Sequence, residues 1–288
     1  MTDGPWIPMQ FMEIDLCEVD TLIEDPDWIF EQKFDGTRGV CVVNEKEVWW
    51  PGAKGVGELS HTAATQHLPV LNPYLSKLME NTEFGQIVLD GEIMVGTGDY
   101  YIWDILYFRE GDTVLIDPNI SDLKTRRKIL EALYERLPDD GPIKLVRQAT
   151  NPIEKKGLYE DVKFGGGEGV MAKRLDGKYE SGKRVDHTVK LKFVKTADVV
   201  VLQVNRPDRR HGNFALGAYN EKGKVVFIGS CSAIGKDPET KVGDVIEVAY
   251  LYWTGNSLYQ PRMLRIRTDK PPSDCLISQF PEYHRLAR

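Results

Sequence analysis

Apolar residues recur in short alternating or continuous runs along the first two thirds of the chain, and turn residues separate these runs. Alternation with a period of two is typical of half-buried strands, and short continuous apolar runs are typical of fully buried ones. The pattern predicts strands at 29–34, 39–44, 48–50, 87–94, 100–108, 169–173 and 188–193.

A few helices are predicted among these strands. Pro73 follows Asn72 and predicts a helix over 74–80, because proline suits the first helical position. A second helix is predicted up to Leu137, where apolar residues recur at helical spacing after a cap at Ser121 or Asp122. Another helix opens at Asn151-Pro152 and ends before Gly165.

Beyond about residue 193 the helical pattern disappears, and five further strands are predicted at 199–204, 214–219, 224–230, 245–251 and 263–267. Five short strands in fewer than 100 residues fit a small β-barrel such as an OB-fold. The sequence therefore predicts an α+β domain at 1–193 and an OB-fold barrel at 194–288.

Composition narrows the class of protein. The chain has 288 residues, of which 41% are hydrophobic and 28% charged, and these are ordinary globular values. No apolar run reaches the roughly 18 residues of a membrane span, and the N-terminus does not resemble a secretory signal. The four cysteines form no C-x-x-C pair, so we expect neither a zinc ribbon nor a disulfide framework, and a cytoplasmic location fits.

Charge is distributed unevenly along the chain. The first fifty residues carry 12 acids and 3 bases, a charge of −9, so the remaining 238 residues carry −7 − (−9) = +2. Basic residues cluster late, at Arg206, Arg209, Arg210 and His211, and again at Arg262, Arg265, Arg267 and Lys270. A protein that is acidic overall can still present a basic face to phosphates, although solvated surface charge is the simpler interpretation of either cluster alone.

The segment Glu31-Gln-Lys-Phe-Asp-Gly-Thr-Arg38 carries the first candidate chemistry, because a lysine ends an apolar strand and a polar turn follows it. A lysine in a partly desolvated, cation-rich site can act as a nucleophile. Alone, the segment is equally compatible with an ordinary surface turn. Five further segments change this interpretation: Leu-Asp-Gly-Glu at 89–92, Tyr-Ile-Trp-Asp at 101–104, Glu-Gly-Val-Met-Ala-Lys at 168–173, Val-Lys-Leu-Lys at 189–192 and Arg-Thr-Asp-Lys at 267–270.

Two other patterns carry less weight. His61 and His67 are six residues apart with no third ligand nearby, so a metal site is not expected there. The glycine run at 165–167 lacks the Gly-Lys-Ser/Thr ending of a phosphate-binding loop, and we interpret it as a turn that leads into Glu168.

Taken in order, the six segments resemble the motif set of the covalent nucleotidyltransferases, and most closely the ATP-dependent DNA ligases. The resemblance runs from about residue 9 to residue 270. It implies that Lys33 attacks the α-phosphorus of ATP to form lysyl-AMP. The AMP then passes to the 5′-phosphate at a nick in duplex DNA, and the 3′-hydroxyl attacks that activated end.

The resemblance also implies roles for the other motif residues. Glu92 and Glu168 would bind Mg²⁺, for which Mn²⁺ can substitute, and the alternative for Glu92 is a contact with the ribose hydroxyl, in addition to the metal or instead of it. Trp103 and Met171 would contact the adenine, Glu31 would read its amino group, Arg38 would lie near the ribose and 5′-phosphate, and Asp104 would order the site. Lys190 and Lys192 would reach the α-phosphate, and Arg267 and Lys270 the departing pyrophosphate.

Some features depart from the family pattern. The segment after the second strand pair lacks the expected arginine, and Lys54 is the residue that could replace it. We see no large N-terminal DNA-binding domain, so a minimal, monomeric ligase of the kind typical of bacteriophages and large viruses is expected. The alternatives are an RNA ligase or an mRNA capping guanylyltransferase of the same superfamily, and a non-catalytic OB-fold module that binds nucleic acid.

Overall fold

The computed structural model of the protein describes residues 6–52, 58–59, 63–80, 82–205, 212–232 and 240–283. The chain divides into two compact units, the first ending at Leu191 and the second beginning at Lys192. None of the helices formed by the described residues has the length and apolar content that a membrane span requires.

The strands of the first unit are β1 Gln10–Glu13, β2 Trp28–Lys33, β3 Thr37–Asn44, β4 Val48–Trp49, β5 Phe84–Ile93, β6 Tyr100–Glu110, β7 Thr113–Ile116, β8 Ile143–Leu145, β9 Gln148–Ala149, β10 Gly169–Arg174 and β11 Arg184–Lys192. Its helices are α1 Val19–Glu24, α2 Leu68–Ser76, α3 Leu123–Tyr134 and α4 Pro152–Gly165, with 3₁₀ turns at Leu16–Glu18, Thr65–His67 and Lys77–Met79.

These strands form two sheets. One has the order β1-β11-β10-β2-β9, and the other has the order β4-β3-β5-β6-β7 with β8 paired to β6. Strand β1 runs parallel to β11, whereas β2 runs antiparallel to both β10 and β9. The first unit is thus a mixed α/β structure.

The largest apolar core of the first unit lies between the second sheet and helices α2 and α3. Leu71 and Leu75 of α2 and Leu130 of α3 are almost completely buried against Ile87 and Ile105 of the sheet. Burial of each such side chain contributes about 1.5–3 kcal/mol, so this core fixes the sheet that carries β5 and β6.

The helix predicted at 74–80 begins earlier than expected. Helix α2 starts at Leu68 with a proline in its first turn, and Pro73 lies inside it. Buried Leu71 and Leu75 anchor α2, and Asn72 accepts a hydrogen bond from Trp50 Nε1 at 2.8 Å instead of capping a helix. Packing therefore overrides the local preference of proline for a helix start.

The other two helices begin where the sequence predicts. The side chain of Asp122 accepts a hydrogen bond from the Thr125 amide at 2.7 Å and caps α3, which ends at Tyr134 rather than at Leu137. Asn151 caps α4 in the same way, and Gly166 follows α4 with a left-handed φ of 75°. The predicted turn at 165–167 is therefore mainly the C-terminal end of a helix.

The second unit contains β12 Lys195–Asn205, β13 Asn213–Tyr219, β14 Val225–Ser232, β15 Val245–Tyr250 and β16 Arg262–Ile266, followed by 3₁₀ turns at Pro272–Asp274 and Ile277–Gln279. These strands close into a barrel in the order β12-β13-β14-β16-β15. Val199, Phe214, Leu216, Ile246 and Phe280 fill its interior. Closure leaves no free strand edge, and the five predicted strands are all present.

Candidate nucleotide-binding site

A cavity of about 220 Å³ in the first unit collects most of the motif residues. Among its lining residues are Glu31, Lys33, Arg38, Glu92, Trp103, Met171 and Lys190, together with Phe11, Gln32, Phe34 and Lys173. The first seven belong to five different motifs and are among the residues for which the sequence predicts a role.

Strand register explains why these side chains meet. In the antiparallel pair of β2 and β10, Lys33 lies opposite Gly169 and Glu31 lies opposite Met171. Side chains two residues apart on a strand share a face, so Glu31, Lys33, Met171 and Lys173 all project from the same side of the sheet. Opposite Lys33, Gly169 carries no side chain that could crowd the amine.

The Lys33 amine lies beside a buried carboxylate. Its Nζ donates to Glu168 Oε2 at 2.5 Å, and the two side chains are 21% and 3% exposed. The carboxylate holds the amine at the cavity wall and is placed to accept a proton from it.

Glu92 lines the same cavity as Lys33. Burial raises the pKa of Glu92 to about 7, although the nearby charge of Lys33 and a hydrogen bond from the Gly36 amide act in the opposite direction. That hydrogen bond is 3.1 Å long. Among the described residues no cluster of three or more His, Cys, Asp or Glu side chains could hold a metal ion. Mg²⁺ needs only one or two protein carboxylates, because it keeps several waters, so the oxygen donors of Glu92 and Glu168 fit it.

Two glycines permit the close approach of these strands. A Cβ atom on Gly36 would lie 2.5 Å from the Ile93 carbonyl oxygen and 2.9 Å from Glu92 Cγ. A Cβ atom on Gly91 would lie 2.4 Å from the Tyr101 carbonyl oxygen. Both positions sit in Asp-Gly pairs, so each glycine is required by packing before any chemistry is considered.

Arg38 faces the cavity but is held by neighbouring groups. Its Nε and Nη2 donate to Asp90 at 2.9 and 2.5 Å, and its Nη1 donates to the Met9 carbonyl at 2.5 Å. Tyr179 donates to Asp90 at 3.2 Å and accepts from the Met9 amide at 3.0 Å. Burial raises the pKa of Tyr179, helped by the charge of Asp90, so its hydroxyl stays a donor. Arg38 thus fastens the segment before β1 to the wall of the site.

A second buried group surrounds Glu31, which is 1% exposed. Lys173 Nζ lies 2.6 Å from Glu31 Oε2, and Gln148 Nε2 donates to Glu31 Oε1 at 2.8 Å. Both oxygens of this carboxylate therefore have a positively polarised partner.

Trp103 forms an aromatic wall of the cavity. Its ring is half-buried and lies 5.6 Å from the Arg38 guanidinium carbon and 5.7 Å from Lys173 Nζ. Met171 lines the same cavity and is 8% exposed. An aromatic ring and a thioether provide the apolar surfaces that a planar base needs.

Asp104 belongs to a buried ion pair behind this wall. Arg126 donates to both of its oxygens, at 2.8 and 3.0 Å, and also to the carbonyls of Ser121 and Gly177. The pair ties β6 to the start of α3 and to the turn after β10.

The two lysines of β11 lie in different places. Lys190 lines the cavity, and its Nζ is 3.8 Å from Glu13 Oε2. Lys192 begins the second unit and lines a separate cavity of about 80 Å³ with Val194, Tyr250 and Arg262.

Arg267 and Lys270 meet at Asp198 within the second unit. Arg267 Nη1 lies 3.0 Å from Asp198 Oδ1, and Lys270 Nζ lies 2.8 Å from Asp198 Oδ2. Arg267 also binds both oxygens of Asp269, and this hydrogen bonding lowers the pKa of Asp269 to about 2. Lys54, His61 and the basic cluster at 206–211 lie outside the described residues.

Several residues that build this site have no role among the expectations drawn from the sequence. They are Asp90, Arg126, Gln148, Lys173 and Tyr179. Only Lys173 had a usable signal, since it stands two residues after Met171 in a strand and so shares its face.

The chain is similar in sequence to known DNA ligases. A family model of the ATP-dependent DNA ligase domain matches residues 97–192. DNA ligase C1 of Mycolicibacterium smegmatis is 27% identical over 192 residues, which cover 52% of this chain and 55% of that protein. The DNA ligase of Thermococcus fumicolans is 28% identical over 209 residues, which cover 60% of this chain but only 36% of that protein.

Solved structures share the fold. The ligase domain of LigD from M. tuberculosis has a TM-score of 0.53 at 20% identity, over 94% of this chain and 98% of that one. A structure from a study of Lig E DNA ligases has a TM-score of 0.58 at 16% identity, over 90% and 99% of the two chains. The resemblance is confirmed over residues 97–192, which match the model of the ATP-dependent DNA ligase domain, and the solved structures share the fold.

Proposed function

We propose that this protein is an ATP-dependent DNA ligase that seals nicks between a 5′-phosphate and a 3′-hydroxyl in duplex DNA. The observation that carries the proposal is the position of Lys33, whose amine is paired with Glu168 at the wall of a cavity that Glu92 also lines. The chain spans about half of the M. smegmatis relative and little more than a third of the T. fumicolans relative, so the activity is inferred from the site and the shared domain.

In the first step the Lys33 nitrogen, after losing a proton to Glu168, attacks the α-phosphorus of ATP. A P–N bond forms, the bond to the β-phosphate oxygen breaks, and pyrophosphate leaves. The AMP then passes from Lys33 to the 5′-phosphate of the nick, and the 3′-hydroxyl displaces AMP to form the phosphodiester bond. All three steps are phosphoryl transfers, so positioning and charge neutralisation supply most of the catalysis.

The residues around Lys33 divide this work. Glu92 and Glu168 would hold Mg²⁺ or Mn²⁺, which when bound neutralises phosphate charge. Lys190, at the cavity wall, offsets the charge that develops on the α-phosphate. At the base end, Trp103 and Met171 contact the adenine, and Glu31 accepts a hydrogen bond from its amino group. Arg38 borders the ribose while it holds the wall in place.

The second unit has the strand order 1-2-3-5-4 in a closed barrel, and we assign it as an OB-fold domain at 194–288 that follows an adenylation domain at 1–193. In this domain Arg267 and Lys270 are the groups that contact departing pyrophosphate. We expect the protein to bind nicked duplex DNA as a monomer.

Mass spectrometry of the intact protein tests the nucleophile. Incubation with ATP and Mg²⁺ is expected to add the mass of one AMP to the wild type and to the Lys46→Ala control, in which an exposed lysine of the β3–β4 turn is removed. Lys33→Ala is expected to gain nothing. Equal labelling of Lys33→Ala would contradict the assignment.

A sealing assay tests the substrate. Nicked DNA/DNA, DNA/RNA and RNA/RNA duplexes are offered to the wild type and to Lys33→Ala, with labelling by ATP and GTP compared in parallel. We expect sealing of nicked DNA with ATP. Preferential labelling by GTP would favour a capping guanylyltransferase, and sealing of RNA alone would favour an RNA ligase.

A further inference from the structure

The carboxylate of Glu31 contacts polar side chains from both neighbouring strands. Gln148 of β9 lies directly opposite Glu31 in the antiparallel register, and Lys173 of β10 lies diagonally across from it. Gln148 Nε2 is 2.8 Å from Oε1, and Lys173 Nζ is 2.6 Å from Oε2. Two partners on two oxygens fix both the orientation and the charge of the carboxylate.

Lys173 forms its ion pair with the Glu31 carboxylate. It is 5% exposed, and no atom of the described residues accepts a well-formed hydrogen bond from its Nζ. A buried cation without a counter-charge is costly, and so is a buried carboxylate without one. Each of the two groups therefore supplies the counter-charge of the other.

An ionised carboxylate can only accept hydrogen bonds. Adenine presents an amino donor at position 6, whereas guanine presents a carbonyl acceptor at the same position. A fixed acceptor pairs with the adenine donor and faces the guanine carbonyl with no shared proton, which leaves two buried polar groups unsatisfied.

We propose that Lys173 and Gln148 are positioning residues that hold Glu31 as an acceptor-only carboxylate and thereby set the preference of the enzyme for adenine over guanine nucleotides. The inference rests on the proposed function, since it concerns the base of the nucleotide that Lys33 takes up. Without Lys173, Oε2 of Glu31 loses its partner, and the carboxylate is no longer held in the orientation that accepts from the base. Without Gln148, it can turn away from the base.

The test compares the kcat/KM for lysyl-nucleotide formation with ATP, GTP and ITP. The readout is the mass of the intact protein, which increases when the nucleotide is attached. ITP carries the position 6 carbonyl of guanine without its 2-amino group, so it isolates the contact in question. We expect Lys173→Met to lower the ATP:ITP ratio by about tenfold or more, and Gln148→Met to lower it by about threefold. The matched control is Lys155→Met, which removes another buried lysine whose Nζ donates to the carbonyls of Leu22 and Asp25. It is expected to leave the ratio unchanged.

A double-mutant cycle separates positioning from direct contact with the base. Glu31→Gln is expected to relax the ratio by itself, and Lys173→Met added to Glu31→Gln is expected to change it no further. If the effects of Lys173→Met and Glu31→Gln on the ATP:ITP ratio multiply in the double variant, Lys173 reads the base directly and the inference is overturned. Wild-type ATP:ITP ratios in both Lys173→Met and Gln148→Met would also overturn it.

Two results need to be kept apart. If Lys173→Met fails to fold by circular dichroism, Gln148→Met and Glu31→Gln decide the question, and unchanged ratios in both overturn the inference. If the wild type forms no lysyl-nucleotide at all, the proposed function fails and this inference falls with it. Labelling of the wild type with unchanged ratios in the variants rejects the inference alone.

Discussion

One ion-pair group in each unit can be compared, and the two groups differ in their burial and in the number of partners that each charge has. In the first unit, Asp104 and Arg126 are 5% and 2% exposed, and each is matched to a single counter-charge behind the cavity. In the second unit, Arg267 and Lys270 are 21% and 26% exposed, and both pair with Asp198, which is 13% exposed.

The buried pair keeps its two charged side chains together, whereas the more exposed cluster can exchange its partners. Breaking a buried pair strands a charge away from water and costs about 3–5 kcal/mol, whereas exposed pairs contribute about 0–1 kcal/mol. The first unit can therefore keep a reactive amine and its neighbours in one geometry. The cluster on Asp198 can release its cations to a competing anion at little cost.

The largest effect is expected from the buried pair. Arg126→Leu leaves Asp104 buried without a counter-charge and should lower the free energy of unfolding by about 3–5 kcal/mol in urea titrations. Adding Asp104→Asn should recover part of this loss. The exposed counterpart is Arg265→Leu, which breaks the pair with Glu247 and should cost less than about 1 kcal/mol. Equal losses for Arg126→Leu and Arg265→Leu would remove the contrast between the units.

The next effect concerns the carboxylate beside the nucleophile. Glu168→Gln keeps the size of the side chain but can no longer take the proton of Lys33, so we expect about a hundredfold slower lysyl-AMP formation in single-turnover experiments. Glu180→Gln, which alters a carboxylate paired with Lys183 in the turn before β11, serves as the control and should retain the wild-type rate. A wild-type rate in Glu168→Gln would show that another group accepts the proton.

A smaller effect is expected from the pH dependence of stability. Burial raises the pKa of Glu92 from 4.5 to about 7, so its contribution to stability is complete below about pH 4.5 and is lost as the pH rises through 7. Glu92→Gln cannot ionise and avoids that loss. Its free energy of unfolding, relative to the wild type, should rise by about 2 kcal/mol between pH 4.5 and pH 8 in the presence of EDTA. A difference that stays constant over this range would contradict the assigned environment of Glu92.

The smallest effect is expected in the barrel. Asp198→Asn frees Arg267 and Lys270 from their shared carboxylate, so pyrophosphate should inhibit lysyl-AMP formation at concentrations up to about fivefold lower. The effect should shrink at high salt, because exposed charges are screened. Glu247→Gln releases Arg265 from a similar pair and should leave inhibition unchanged. Equal shifts in Asp198→Asn and Glu247→Gln would indicate a general effect of charge.

Most of the fold could be predicted because its strands are regular. The connection from β13 to β14 is also set locally, since the Asn220 side chain accepts from the amides of Lys222 and Lys224. Elements that were not predicted, such as β9 and α1, have two and six residues and too few positions to show a period. Helix α2 was misplaced because the burial of Leu71 and Leu75 outweighs the signal of Pro73.

The site could be predicted only in part. Lys33, Glu92 and Lys190 end or line strands within recognisable motifs, and the structure places all three at one cavity. Their supporting partners depend on pairings between distant segments. Gln148 and Glu31 are 117 residues apart, and Tyr179 and Asp90 are 89 apart. Separations of this size leave no periodic trace in a single sequence, because only the folded sheets bring the segments together.

The tight contacts at Gly36 and Gly91 bear on how far this protein can be re-engineered. A saturation library across the turn at Gly36 or across the strand at Gly91 should lose nearly every member at its glycine, whatever activity is selected, because even alanine would strike a main-chain oxygen. Attempts to alter nucleotide use are therefore better directed at the side chains that project into the cavity than at these two backbone positions.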